Sequence, residues 1–298
     1  MPLERREVET LDGRVTLALR RSADGRPPLL LLHGHPQTHL VWHRMWATLS
    51  GRFALVAPDL RGYGDSDKPA GTADHATYSK RVMAADLVAL MRSLGHERFA
   101  VLAHDRGARV AHRLAMDHPE RVSALALLDI APTLAMYEQA GDAFARAYWH
   151  WFFLVQPAPL PEQLIGDQGA FYVRSVLGGR HAGLAPFPPG ILAEYERCAS
   201  SREAIHAICE DYRASASIDL VHDRADRESG RFVAAPLTVL WGEHGTVGRS
   251  FDVLGEWRRV ATRVHGRSLP CGHYLPEEAP EALLDALGPF LDDAVPKP

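Results

Sequence analysis

An aspartate stands where a strand-like apolar run passes into a helical segment, in the peptide Ala103-His104-Asp105-Arg106-Gly107. This is the layout of a nucleophile elbow, a sharp turn that exposes one side chain while a small residue lets two backbones approach. A carboxylate that attacks a saturated carbon forms an ester, which water can then open. Asp105 therefore predicts displacement of a halide or an epoxide oxygen. The alternative is an ordinary helix-capping aspartate.

Two arginines follow this aspartate on the same predicted helix. Arg106 is the next residue, and Arg109 lies one turn further along. Guanidinium groups at the N-terminus of a helix form an anion pocket, which would keep Asp105 ionised and could hold a substrate carboxylate. The alternative is that one or both arginines make structural ion pairs.

A base and its orienting acid can be sought by their order along the chain. His273 lies between the last short strand and the final helix, and we expect it to activate the water that hydrolyses the ester. Two residues could orient it, Asp129 and Glu243, and the position usually taken by the acid is Gly245 here, which favours Asp129. The backbone N–H groups of His35 and Arg106 are predicted to form the oxyanion hole.

The elements that must position these residues alternate between strands and helices. Short runs that are apolar throughout, such as Leu29–Leu32 and Ala124–Leu128, separate helical stretches, which predicts an α/β fold with a mostly parallel sheet flanked by helices. This alternation of strands and helices ends after Asp129, where a segment rich in aromatic residues begins. We therefore predict a core domain of residues 1–131 and 217–298 with a helical cap domain, residues 132–216, inserted in it. The charged stretch His222–Arg231 is predicted to be a loop.

Composition excludes several classes of function. The 298 residues are 46% hydrophobic and 23% charged, with a net charge of −4, which favours neither nucleic acid nor an anionic membrane as partner. The N-terminal segment lacks the apolar run of a signal peptide, and no run reaches the length of a membrane span. Cys198, Cys209 and Cys271 have no metal-type spacing. These features predict a cytoplasmic protein with free thiols and no metal site.

The motifs together resemble those of the fluoroacetate (haloacetate) dehalogenases of the α/β-hydrolase superfamily. The resemblance extends along nearly the whole chain and rests on His33-Gly34-His35-Pro36-Gln37-Thr38, His104-Asp105-Arg106-Gly107-Ala108-Arg109, Leu128-Asp129-Ile130, Tyr148-Trp149-His150-Trp151, Gln156-Pro157-Ala158-Pro159-Leu160-Pro161, Cys209-Glu210-Asp211-Tyr212-Arg213 and Gly272-His273-Tyr274-Leu275-Pro276-Glu277-Glu278. It implies the triad Asp105, His273 and Asp129. It also implies halide-binding roles for His150, Trp151 and Tyr212, a homodimer, and no metal or organic cofactor.

The resemblance thus predicts hydrolysis of small haloacids such as fluoroacetate and chloroacetate. An epoxide hydrolase remains an alternative, with Tyr212 and either Tyr148 or Tyr137 as the acids, and so does a non-catalytic ligand-binding sensor on the same fold. The sequence departs from the family at His35, which is often phenylalanine, and at Gly178–Gly183, where relatives carry an aromatic wall. Both departures bear on substrate entry and halide preference.

Overall fold

The computed structural model describes residues 3–294, which are built on one eight-stranded sheet. The strands are β1 (Glu4–Thr10), β2 (Gly13–Arg21), β3 (Pro28–Leu32), β4 (Ala54–Pro58), β5 (Phe99–His104), β6 (Val122–Leu128), β7 (Leu237–Gly242) and β8 (Val264–Leu269). Their order across the sheet is β1-β2-β4-β3-β5-β6-β7-β8. The pairs β1–β2 and β2–β4 are antiparallel, and every other pair is parallel. The predicted mostly parallel α/β sheet is confirmed.

Helices cover both faces of the sheet. They are α1 (Trp46–Ser50), α2 (Lys80–Ser93), α3 (Asp105–Asp117), α4 (Thr133–Glu138), α5 (Asp142–Ala147), α6 (Trp149–Leu154), α7 (Leu160–Ile165), α8 (Gly169–Gly178), α9 (Pro189–Cys198), α10 (Arg202–Ala216), α11 (Ile218–Glu228), α12 (Thr246–Ser250), α13 (Val253–Arg258), α14 (Leu275–Glu278) and α15 (Pro280–Ala294). No helix within residues 3–294 combines the length and the apolar character that crossing a membrane requires.

Alternate residues of the central strands point into two separate apolar clusters. In β3, Leu30 and Leu32 belong to the larger cluster, whereas Leu29 and Leu31 face the opposite side of the sheet. The larger cluster continues into the helices between β6 and β7, where it includes Phe144. The helices of the predicted cap therefore pack as an extension of the core on one face of the sheet, directly above the end of β5 where Asp105 begins α3.

One local prediction is wrong. The charged stretch His222–Arg231 is not a loop, because most of it lies in α11. Its acidic side chains have cationic partners in the core: the guanidinium of Arg113 contacts Asp223 at 2.7 Å and Asp226 at 2.6 Å. These ion pairs satisfy the buried charges of a helix that contains few apolar residues.

A buried glutamate joins the cap to the core beside the predicted base. Glu277 is fully buried, accepts a 3.0 Å hydrogen bond from the Tyr195 hydroxyl of α9, and accepts another from the Gln37 amide. Burial raises the pKa of Glu277 from its ordinary value of 4.5 to about 8. Folding therefore favours the protonated carboxyl in the range between these two values.

We predict that Glu277→Gln removes part of the pH dependence of folding. A carboxyl with a raised pKa contributes stability below its unfolded pKa, and that contribution is lost as pH rises towards 8. The wild-type free energy of unfolding should fall by about 1 kcal/mol per pH unit between pH 6 and 8. The free energy of unfolding of the variant should change less with pH over the same range. Urea unfolding at several pH values measures this, with exposed Glu281→Gln as control. Equal slopes for wild type and Glu277→Gln would contradict it.

Candidate active site

Asp105 occupies a strained position at the start of α3. Its φ is +46°, in the left-handed region that few non-glycine residues adopt. Gly107 permits the turn, because a Cβ at this position would lie 2.3 Å from the carbonyl oxygen of His33. This geometry matches the predicted nucleophile elbow, and it raises the Asp105 side chain above the end of the sheet.

The two oxygens of Asp105 have different neighbours. The His35 backbone N–H donates a 3.0 Å hydrogen bond to Oδ1, while the Nε2 of His273 lies 3.8 Å from Oδ2. Although burial alone would raise the pKa of Asp105, the charges around it, from His273 first and then from His104, Arg109 and Arg106, hold the pKa well below its ordinary range. The carboxylate is therefore ionised, and Oδ2 is the oxygen free to react.

His273 is oriented by Asp129 from the end of β6. The Nδ1 of His273 lies 2.6 Å from Oδ2 of Asp129, whose Oδ1 accepts a 2.9 Å hydrogen bond from the Gly242 N–H. The other acid considered from the sequence, Glu243, is exposed to solvent. The structure thus brings Asp129 rather than Glu243 to His273, and Nε2 of the imidazole is left facing Asp105.

Within the part of the chain that the structure describes, each of the two arginines after Asp105 keeps one nitrogen without a partner. Arg106 is fully buried; its Nε and Nη2 donate to Asp211, and Nη2 also donates to Ser215, leaving Nη1 free. Arg109 donates from Nη1 to the Thr133 hydroxyl and from Nη2 to the Met136 sulfur, leaving Nε free. Buried donors normally have acceptors, so these two N–H groups can receive an anionic ligand.

The predicted halide ligands come from two cap helices. His150 and Trp151 are on α6 and Tyr212 is on α10, and all three are buried. The Arg109 guanidinium lies 4.7 Å above the Trp151 ring, and the Arg106 guanidinium lies 4.1 Å above the Tyr212 ring. The Trp151 indole N–H has no acceptor among residues 3–294. The arrangement places a further free donor next to the two arginines.

Both histidines near these donors are neutral at physiological pH. Burial lowers the pKa of His35 to about 3, and burial followed by the charge of Arg180 lowers that of His150 well below its ordinary value. His35 Nε2 is paired with the Tyr172 hydroxyl at 2.9 Å. His35, which stands where the family often has phenylalanine, thus has a hydrogen-bond partner in Tyr172. The sequence reasoning did not single out this tyrosine.

Asp211 is a second residue that the sequence reasoning missed. Its carboxylate accepts from Arg106 Nε at 2.7 Å and from the Tyr63 hydroxyl at 2.6 Å, and it also pairs with Lys80. Asp211 directly precedes Tyr212 on α10. This one cap residue therefore holds the guanidinium next to Asp105 and fixes its position relative to the predicted halide ligand.

We predict that Asp211→Asn weakens substrate binding more than it slows the chemical step. The amide cannot neutralise Arg106, whose free nitrogen would then lose its fixed direction. KM for a haloacid should rise by roughly tenfold, with kcat changed less. Steady-state kinetics measures this, and Asp219→Asn is the matched control, because Asp219 pairs with Lys80 but has no contact with Arg106. Equal KM changes in both variants would show a general loss of stability instead.

Within residues 3–294, no group of three or more histidine, cysteine, aspartate or glutamate side chains is arranged to hold a metal ion. The three cysteines are free thiols in the structure, and burial raises the pKa of each, to about 12 for Cys271. The donor atoms around Asp105 are N–H groups rather than metal ligands. The site's unsatisfied polar groups thus suit an anion.

Comparison with known proteins shows to which family the chain belongs. Residues 27–280 match the family model of the alpha/beta hydrolase fold. The chain is 44% identical to a fluoroacetate dehalogenase from Burkholderia sp over 98% of this chain and 94% of that protein. It is 33% identical to a soluble epoxide hydrolase from Corynebacterium sp., covering 87% of each. The crystal structure of an alpha/beta hydrolase from Nostoc sp PCC 7120 superimposes with a TM-score of 0.91, at 53% identity over 97% of this chain and 98% of that one. The chain therefore belongs to the α/β-hydrolase family, in the branch that includes fluoroacetate dehalogenase.

Proposed function

We propose that the protein hydrolyses haloacetates to glycolate and halide through an ester on Asp105. The observation that carries this proposal is a set of buried, unpaired N–H donors around an ionised aspartate: Arg106 Nη1, Arg109 Nε and Trp151 Nε1. A haloacetate supplies acceptors at both of its ends. Its carboxylate suits the two arginines, and its halogen suits the indole. The Burkholderia relative, a fluoroacetate dehalogenase, supports the assignment.

In the first step, Oδ2 of Asp105 forms a bond to the α-carbon as the carbon–halogen bond breaks. The halogen leaves with the bonding electron pair as halide, and an ester remains. Arg106 and Arg109 hold the substrate carboxylate so that attack is in line. His150, Trp151 and Tyr212 donate to the departing halide, which replaces the hydration that fluoride would have in water.

In the second step, water attacks the carbonyl carbon of the Asp105 ester. His273 accepts the proton of the water through Nε2, and Asp129 stabilises the resulting imidazolium. Oδ1 becomes the ester carbonyl oxygen, and negative charge develops on it. The His35 N–H already donates to this atom at 3.0 Å, and the Arg106 N–H at the start of α3 is the second donor of the proposed oxyanion hole. Collapse breaks the bond between the carbonyl carbon and Oδ2, and the His273 imidazolium gives its proton to the departing oxygen, so that glycolate leaves. The Asp105 carboxyl, which now contains the water oxygen, releases its remaining proton to solvent and is again a carboxylate.

The test is to incubate the purified protein with fluoroacetate, chloroacetate and bromoacetate. Halide and glycolate should appear in equal amounts, and halide release should require the intact enzyme. A protein that binds haloacids tightly but gives no product during long incubation would instead be a sensor. Absence of both binding and turnover with all three haloacids would overturn the proposal.

Epoxide hydrolysis is the second candidate, favoured by one specific observation. The hydroxyls of Tyr137 and Tyr148 are buried and have no partner in the described residues, and either could join Tyr212 in protonating an epoxide oxygen. The Corynebacterium relative is an epoxide hydrolase. Against this, a neutral epoxide does not use the free nitrogens of Arg106 and Arg109. Diol formation from small epoxides, without halide release from haloacetates, would favour this candidate.

We also propose that the protein is a homodimer. The outer surface of the cap exposes large apolar side chains, including Trp149, Phe152 and Phe171, whose exposed fractions are 41%, 37% and 69%. Association of two copies of the chain would cover these large apolar side chains of α6 and α8. Light scattering coupled to size-exclusion chromatography should give twice the chain mass of 32.9 kDa. A monomer at micromolar concentration would contradict this proposal without affecting the chemistry.

A further inference from the structure

A cleft of about 200 Å³ runs between the cap and the core and ends at the predicted base. Its outer rim carries the exposed side chains of His181 from the cap and of His244 and Arg249 from the core. Arg180 and His273 line the same cleft, and His273 is only 4% exposed. The cleft therefore leads from solvent to a residue of the buried triad.

Arg180 lies on the cap side of this cleft, where its neighbours are neutral groups, including the Tyr274 hydroxyl. Its Nη1 donates a 3.2 Å hydrogen bond to the Ala147 carbonyl, and its guanidinium lies 4.1 Å above the Tyr148 ring. Among residues 3–294, no carboxylate lies within ion-pair distance of it. The positive charge is therefore available to a ligand in the cleft.

The charge of Arg180 also influences groups in the buried site. Burial tends to lower the pKa of Arg180, but Tyr148, Tyr274 and then Asp105 raise it above its ordinary value. Arg180 in turn is the second cause, after burial, of the lowered pKa of His150. Because its charge is felt by Asp105 and His150, Arg180 lies near enough to the buried site to pass a ligand inward.

The other cations near Asp105 differ from Arg180 in how they are balanced. Arg106 is neutralised by Asp211, which leaves Arg109 as the other buried guanidinium without an ion pair in the described chain. Arg109 faces the ionised Asp105, so the charges of these two groups offset each other. A substrate carboxylate approaching this pair would meet no net positive charge unless Arg180 supplied it.

We propose that this cleft is the substrate entrance and that Arg180 is a specificity-determining residue that captures the carboxylate of the incoming haloacid. The carboxylate then passes from Arg180 to the free nitrogens of Arg106 and Arg109. Glycolate, also a carboxylate, leaves by the same route. The inference rests on the proposed dehalogenation, and it assigns a function to the basic stretch that replaces the aromatic wall of the family.

The test compares Arg180→Gln with wild type, using chloroacetate as substrate. Loss of the charge should lower kcat/KM by roughly tenfold or more and leave kcat within about twofold, because capture precedes the chemical step. The decrease of kcat/KM with added salt should become shallower. Arg174→Gln is the matched control: it removes one charge from exposed α8 of the same cap, outside the cleft, and should change neither parameter.

Arg180→Lys keeps the charge and should retain most of kcat/KM and its salt dependence; loss of both in the lysine variant would overturn the proposal. Equal effects of Arg180→Gln and Arg174→Gln, or a fall in kcat with unchanged KM, would also overturn it. Acetate binding, followed by tryptophan fluorescence, gives a readout without turnover. If wild type released no halide, the proposed function would fail, whereas a tenfold weaker acetate affinity in Arg180→Gln alone would still support the entrance.

Discussion

A His273→Asn variant incubated with chloroacetate is expected to gain the mass of one carboxymethyl group on the peptide that contains Asp105. Asparagine cannot accept the proton of the attacking water, so the second step stops while the first still runs. Chloride release should then end after one equivalent per site. Steady turnover should fall by about 10⁴-fold or more.

Peptide mass spectrometry and chloride measurement together test this expectation. Asp105→Ala combined with His273→Asn is the control, since it removes the atom that forms the ester and should give neither adduct nor chloride. An inactive His273→Asn variant that shows no adduct would contradict the ester mechanism. A single wild-type turnover in ¹⁸O-water adds a second check, because the label should enter the Asp105 carboxylate before it reaches glycolate.

A Trp151→Phe variant is expected to lose fluoroacetate turnover while it keeps most of its activity on bromoacetate. Phenylalanine preserves a ring beneath Arg109 but has no N–H to donate. Fluoride depends on hydrogen-bond donors far more than bromide, because bromide is a good leaving group even in a weakly donating site. Fluoride release should fall by about 10²- to 10³-fold, and bromide release by less than about tenfold.

Fluoride and bromide release under matched conditions measure this ratio. Trp149→Phe is the control, since Trp149 lies two residues before Trp151 on the same helix and is 41% exposed. Parallel losses for both substrates in Trp151→Phe would indicate a packing defect. Such a result would mean that the Trp151 indole is not a ligand of the departing halide.

The central sheet and the elbow were predictable from the sequence because their signals are local. A strand covered on both faces is mostly apolar, as β3 and β6 are. This pattern can be recognised in the sequence of the strand itself, without knowing which segments pack against it. The elbow is likewise marked by adjacent residues, Asp105 and Gly107. Chain order also directed attention to Asp129 as the partner of His273, and the structure brings the two side chains together.

Other features depend on contacts between segments far apart in the chain. The helix α11 is stabilised by acidic residues that reach Arg113, more than a hundred positions earlier, so its own sequence looked like a loop. Asp211 lies inside a recognised motif, but its bond to Arg106 joins the cap to the core. Arg180 was visible only as part of a basic stretch. No local pattern in the sequence indicates that these charged side chains meet, because the segments that carry them are far apart in the chain.

The pairing of Asp211 with Arg106 bears on attempts to recombine related enzymes. Arg106, contributed by the elbow, is buried and depends on Asp211 of the inserted segment for its counter-ion, whereas Lys80 of α2 also pairs with Asp219, which lies after that segment. A chimaera given a foreign insert without an acid at the place of Asp211 would leave the Arg106 guanidinium buried without a counter-ion, at a cost of several kcal/mol. Grafted inserts should therefore be chosen first for their electrostatic match to the recipient, before the shape of the pocket they create.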